Sequence, residues 1–273
     1  MLVGKSAINY TKSERIMNKL LLVTLITISS LSAYTQEEKI WRFINVPDYH
    51  NAEGFVNIWG KAEAGFDNPR EQRMAEQTEQ FRKMKAKYGG ELIVMPGDCN
   101  GGHWYRTKYL KQFKSFPAHA NFNTKEVILK SSQLCYDGLW DIVHDGGYEH
   151  FLMAVGDHEL GDNPWNKGSE VSKHIASFRQ GFANTLTMDD NGDSRFIQKI
   201  GNALPRPVGT IYEHTSNAIQ HKNVLFVTID MFRFDDKDKV LGDQGVINGD
   251  IDGEHLEWFE SVLGEAQQIS SIK

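Results

Sequence analysis

Short apolar runs alternate along this chain with longer stretches in which apolar residues recur every three or four positions. Residues 40–46, 91–95, 151–155 and 224–229 are the apolar runs, and each reads as a strand. Residues 71–88 read as a helix, with Met74, Phe81, Met84 and Tyr88 on one face and Gly89-Gly90 ending it. Asn123 or Thr124 caps a second helix through Val127, Leu129 and Leu134 and on to Leu139 and Ile142. Asp252 opens a last helix whose apolar positions are Leu256, Phe259 and Leu263. Strands alternating with helices predict an α/β fold with largely parallel central strands.

Composition narrows the class. The 273 residues include 40% hydrophobic and 24% charged positions, which suits a globular chain. Asp plus Glu is 36 against 30 Lys plus Arg, a formal charge of −6, so general nucleic-acid binding lacks its basic surface. Met17-Asn18-Lys19, the apolar run 20–28 and the small residues Ser29, Ser30, Ser32 and Ala33 have the layout of a secretory signal peptide cleaved near Thr35. An anchor helix is the competing reading. The expected layout is therefore an N-terminal extension plus signal peptide over 1–35, with Met17 as the true start, and one domain over 36–273. The mature chain would be secreted or periplasmic, with no membrane span. Export would place Cys99 and Cys135 in an oxidising compartment, where they either pair or remain free thiols.

The candidate chemistry lies just past the apolar runs. Val46 is followed by Pro47-Asp48-Tyr49-His50, Met95 by Pro96-Gly97-Asp98, and Val155 by Gly156-Asp157-His158-Glu159. In an open α/β sheet the ends of parallel strands converge on one edge, where ligands bind. Asp48, Asp98 and Asp157 should therefore meet there, with His50 and His158. Two carboxylates about 4 Å apart repel by about 4 kcal/mol at an effective dielectric of about 20, so protons or cations must neutralise them. Mixed oxygen and imidazole donors suit a divalent transition metal. The bland alternative is that each aspartate is a solvated loop residue or a helix cap.

These motifs, in this order and each after an apolar run, resemble those of the calcineurin-like metallophosphoesterases. The similarity continues through Gly253-Glu254-His255-Leu256-Glu257-Trp258-Phe259 and covers about residues 40–265. It implies a four-layer α/β/β/α sandwich and two divalent ions of the Mn, Fe or Zn class. Asp48 and His50 would hold the first ion, Asp98 would bridge both, Asp157 would contact the second, and His158 would sit near the leaving group as general acid or transition-state stabiliser. The implied activity is hydrolysis of a phosphate-ester small molecule or nucleotide.

The chain departs from the family in three ways. Asp157 stands where the family usually has Asn. Gly97-Asp98-Cys99-Asn100-Gly101-Gly102 lacks the later acidic residue that orients the motif histidine in some members. No histidine follows His255, where the family has an isolated His and a Gly-His-x-His motif. The expectation is a C-terminally incomplete member, with a second sheet short of strands, at most one tightly held ion and poor hydrolysis. His174, His214 and His221 are the histidines available as substitutes. The runner-up is a non-catalytic extracellular module that keeps the fold and at most one metal.

Gly101-Gly102-His103-Trp104-Tyr105-Arg106 follows the second motif. His103 and Arg106 are candidate contacts to substrate phosphate, with Trp104 as a wall and Trp165 facing it. The alternative is aromatic packing over the sheet. Asp189-Asp190-Asn191-Gly192-Asp193 resembles the start of a calcium loop, but Ser194 and Ile200 break the pattern, so it reads as a polar turn. No Gly-x-Gly-x-x-Gly, P-loop or Gly-x-Ser-x-Gly motif is present.

Overall fold

In the computed structural model, residues 41–63, 65–163, 165–166, 168–188, 201–232 and 251–272 are described. The signal-like segment and the turn at 189–193 lie outside them.

The first three apolar runs form a parallel sheet, ordered β1 (Phe43–Asn45), β2 (Leu92–Met95) and β3 (His150–Met153). Ile44 pairs with Ile93, Ile93 with Phe151, and Met95 with Met153. Helical cover explains why β2 and β3 are apolar without strict alternation. The ladder continues past the strands: Val46 donates its N–H to Val94 O at 2.9 Å, and Ala154 to Met95 O at 2.8 Å. The loops thus leave the sheet edge already in register.

Helix α1 spans Pro69–Tyr88, with Pro69 at its start, where the missing N–H is harmless. The Asn68 side chain accepts from Glu71 N at 2.9 Å. Of the expected apolar face, Phe81 is buried, Met74 and Met84 are half-buried and Tyr88 is exposed. The inner face is shared with the loop after β1. Tyr49 donates its hydroxyl to Gln77 Oε1 at 2.6 Å and sets its ring edge-on to Phe81. A short helix α2 spans Thr107–Phe113. Helix α3, Thr124–Asp145, starts with a capping box between Asn123 and Glu126, which settles the cap as Asn123. It buries Val127, Ile128, Cys135, Leu139, Ile142 and Val143. Helix α4, Ile175–Phe182, packs on it through Phe182, whose ring meets Tyr136.

The fourth apolar run is not part of the parallel sheet. It forms β6 (Val224–Thr228) in a separate antiparallel sheet with β5 (Asn217–His221) and β4 (Asn202–Ala203). A tight hairpin with Lys222 at φ 53° joins β5 to β6. The pattern misses β5 because Asn217, Gln220 and His221 interrupt it, yet all five of its residues are buried. Tertiary partners match two of these side chains: Gln220 Nε2 donates to Ser271 Oγ at 2.7 Å and His221 Nε2 lies 3.0 Å from Glu91 Oε1, whereas the Asn217 side-chain amide is buried without a hydrogen-bond partner among the described residues. Edge-on contact of Phe43 with Phe226 at 5.3 Å ties the two sheets together.

Helix α5, Gly253–Gln268, covers the antiparallel sheet with Trp258, Val262 and Ala266, against Leu204 and Ala218. This corrects the expected face, because Leu256 and Leu263 are exposed and Phe259 lies at its margin. A polar residue sets the true face. His255 stacks between Tyr212 at 4.1 Å and Trp258 at 5.4 Å, and shares a hydrogen bond with Ser216 at 3.0 Å. Among the described residues no helix is long and apolar enough to cross a membrane.

Burial holds the pKa values of His255, His150 and His214 below the ordinary histidine value. These rings stay neutral in the fold while the unfolded chain takes up protons near pH 6.5, so stability is present above that pH and is lost as pH falls. Because the raised carboxyls of Glu159 and Asp98 act in the opposite sense, the check is a difference: the urea midpoint of His255→Phe, which keeps the ring stack, should gain on that of the wild type as pH falls from about 7.5 to about 5.5.

Candidate metal centre at the ends of the parallel strands

Three of the residues singled out by the strand-end pattern adopt backbone that favours glycine. Asp48, His50 and Asp98 have φ of 49°, 47° and 54°. Each such non-glycine conformation costs about 1 kcal/mol or more and persists only where the surroundings impose it. Here the first two loops impose it on each other. His50 donates its N–H to Asp98 O at 3.0 Å, and Ala52 to Cys99 O at 3.0 Å. The glycines before Asp98 and Asp157 allow close approach. A Cβ on Gly97 would stand 2.6 Å from Gly156 N, and one on Gly156 would stand 2.6 Å from Asp98 N.

Glu159 locks the second and third loops. Its side chain is fully buried and accepts from Asp98 N at 2.7 Å, Cys99 N at 3.0 Å, Asn100 Nδ2 at 2.9 Å and Gly156 N at 2.9 Å. Burial pushes its carboxyl up to about 7, against the pull of those amides. It occupies the motif position right after His158, but only the fold reveals its partners.

Within this frame His50, Asp98 and His158 each bring a ligand atom within 4.8 Å of the others, and Asp157, His158 and Asp162 form a second such group. The His50 and His158 rings meet edge to face at 4.7 Å. Burial, and then the charge and hydrogen bond of Asp157, raise the Asp98 carboxyl above its ordinary value. Asp157 also accepts from Asn163 Nδ2. Burial works against a charge on His158, but a bond to the Gly101 backbone and the charges of Asp157, Asp162 and Asp98 outweigh it, so its pKa is raised.

Asp48 stands outside both groups. Its carboxylate is 73% exposed and lies 3.4 Å from His50 Nε2. His103 and Arg106 turn to Asp162, at 2.8 Å and 3.4 Å. Asp162 is the acidic residue that no strand-end motif revealed. It sits four positions after His158, at φ 69°, with Oδ1 3.9 Å from His158 Nδ1. Trp104 and Trp165 are fully buried and serve as packing rather than as walls of a site: Trp104 stacks on Phe178, and Trp165 donates to Leu160 O at 3.2 Å. His174 pairs with Glu170, His214 with Arg206, and His221 with Glu91 before β2, so none joins the two groups. Cys99 and Cys135 are free, buried thiols.

The donor set fits a cation. Asp98 and Asp157 repel unless a positive charge or a proton intervenes, and His158 Nδ1 is buried with no hydrogen-bond partner among the described residues. The fold and the site thus define a mixed α/β protein, with a parallel and a separate antiparallel three-stranded sheet and His/Asp groups that can hold a metal ion. No protein-family model matches the chain, and neither does any curated protein or solved structure.

Two outcomes check this frame. Glu159→Gln turns an NH₂ toward buried N–H donors and should cost about 3 kcal/mol in urea unfolding. The raised folded pKa of Asp98 means that its contribution to stability is present at low pH and lost as pH rises through that value. At neutral pH with chelator, Asp98→Asn should therefore melt above the wild type, and Mn²⁺ should reverse that order.

Proposed function

We propose that the chain is an exported, metal-dependent phosphoric ester hydrolase of the calcineurin-like metallophosphoesterase type. The observation that carries this reading is the meeting of His50, Asp98, Asp157 and His158 at the ends of three parallel strands. The signal-like pattern over residues 17–33 supports export. In this reading the two sheets are the inner layers of a four-layer sandwich, with α5 on the outer face of the antiparallel one.

Asp48, His50, Asp98 and Asp157 would hold divalent ions, with Asp98 shared between them. When bound, such ions supply Lewis-acid charge to the phosphoryl oxygens and lower the pKa of water. His158 donates a proton to the leaving oxygen, and the carboxylates around it favour the protonated ring it needs. Asp162 holds His103 and Arg106 beside the second ligand group, and in this reading the donors that Asp162 leaves unused on Arg106 would meet an incoming phosphate. Glu159 is too deeply buried to exchange protons with substrate and acts by holding the loops.

With Mn²⁺, the protein should hydrolyse 4-nitrophenyl phosphate or its diester, and Asp98→Asn and His158→Ala should each lower kcat by about a hundredfold or more. Equal turnover by Asp98→Asn removes the mechanism. A second reading, a binding module with one ion, is favoured by the position of Asp48 outside both ligand groups. One bound Mn²⁺ per chain with no ester turned over would decide for it.

A further inference from the structure

A groove of about 390 Å³ opens directly beside the centre. It begins at His50 and runs past Asn51, Glu53 and Asn57 to Gln72 and Arg73 on α1. Its size is at the small end of ligand sites, which suits one ring or a short chain of carbons. Glu53 ties it to the second motif by accepting from Gly101 N at 2.9 Å.

Its lining excludes two of the common leaving groups. No Phe, Tyr or Trp is among the lining residues, and the one ring there, His50, already meets His158 at 4.7 Å, so a nucleobase finds no large aromatic face to stack on, an interaction worth about 1–3 kcal/mol per base elsewhere. The one guanidinium is already matched. Arg73 donates to Asn51 Oδ1 at 2.6 Å and lies 3.5 Å from Glu76 Oε2, and Glu53 adds a second carboxyl. A second phosphate meets no excess of positive charge there.

What remains is a mixture of donors and acceptors. Asn57 Oδ1 is buried and has no hydrogen-bond partner among the described residues. The stem of Arg73 lies across Gly54, where a Cβ would stand 2.5 Å from its Cγ, and its guanidinium is held by Asn51 and Glu76. Hydroxyl groups both donate and accept, and so satisfy such a lining where a purely anionic or apolar group does not. We infer that this groove is the leaving-group subsite and that it takes a neutral, hydroxyl-rich alcohol, so that the substrates are sugar or polyol phosphates. This rests on the phosphoesterase reading above.

The test compares glucose 6-phosphate with AMP on the Mn²⁺-loaded protein. kcat/KM should favour glucose 6-phosphate by about tenfold or more, and Arg73→Ala and Asn57→Leu should each cut that preference by about tenfold. Calorimetry on the His158→Ala protein should show the same order in Kd, separating binding from turnover. Tighter binding of AMP, or a preference untouched by both variants, overturns the subsite even if nitrophenyl phosphate is hydrolysed. Should no ester be turned over while glucose 6-phosphate still binds in an Arg73-dependent way, the hydrolase reading falls and the polyol groove stands.

Discussion

The carboxylate of Glu159 gathers four N–H donors from the second and third loops, and the geometry of the centre follows from that buried clamp. A carboxylate so deep is expensive unless its lone pairs are filled, and here each oxygen takes two donors. Its partners include the N–H of Asp98 and of Gly156, so the loops bearing Asp98 and Asp157 cannot separate without exposing buried charge. The left-handed backbone at Asp98 is tolerated for the same reason.

That clamp brings Asp98 and Asp157 together, and their mutual repulsion leaves a charge that a proton or a cation can neutralise. In the absence of a cation the pair shares its charge badly, which raises the Asp98 carboxyl. His50 and His158 add nitrogen donors at the same edge. Asp162 pairs with His103 and Arg106 beside it. The centre therefore combines a cation-seeking core with a rim of donors. The groove beside it is polar, with Arg73 set against Glu53 and Glu76.

Much of the fold was legible in the pattern of apolar positions, because the parallel strands and the amphipathic helices bury contiguous or periodic faces. Four features were not. Strand β5 carries Asn217, Gln220 and His221 and is recognisable only by its pairing with β6 and by the partners of Gln220 and His221. Helix α5 turns inward around His255 because Tyr212 and Trp258 sandwich the ring. Trp104 looks like a site residue by position but is consumed by packing on Phe178. Asp48 shares the motif spacing of its fellow aspartates, yet its side chain points to solvent beside His50.

The amino-acid sequence alone determined the alternation of strands and helices and the placement of an acidic residue after each of three apolar runs, because hydrophobic periodicity and strand direction are local properties. Tertiary structure decided which of those residues share a site, how Glu159 and Asp162 enter it, and which sheet the fourth run joins. Those outcomes depend on contacts between residues far apart in the chain, such as His50 with His158 and Asp98 with Glu159, and a linear pattern does not encode which buried polar groups find each other.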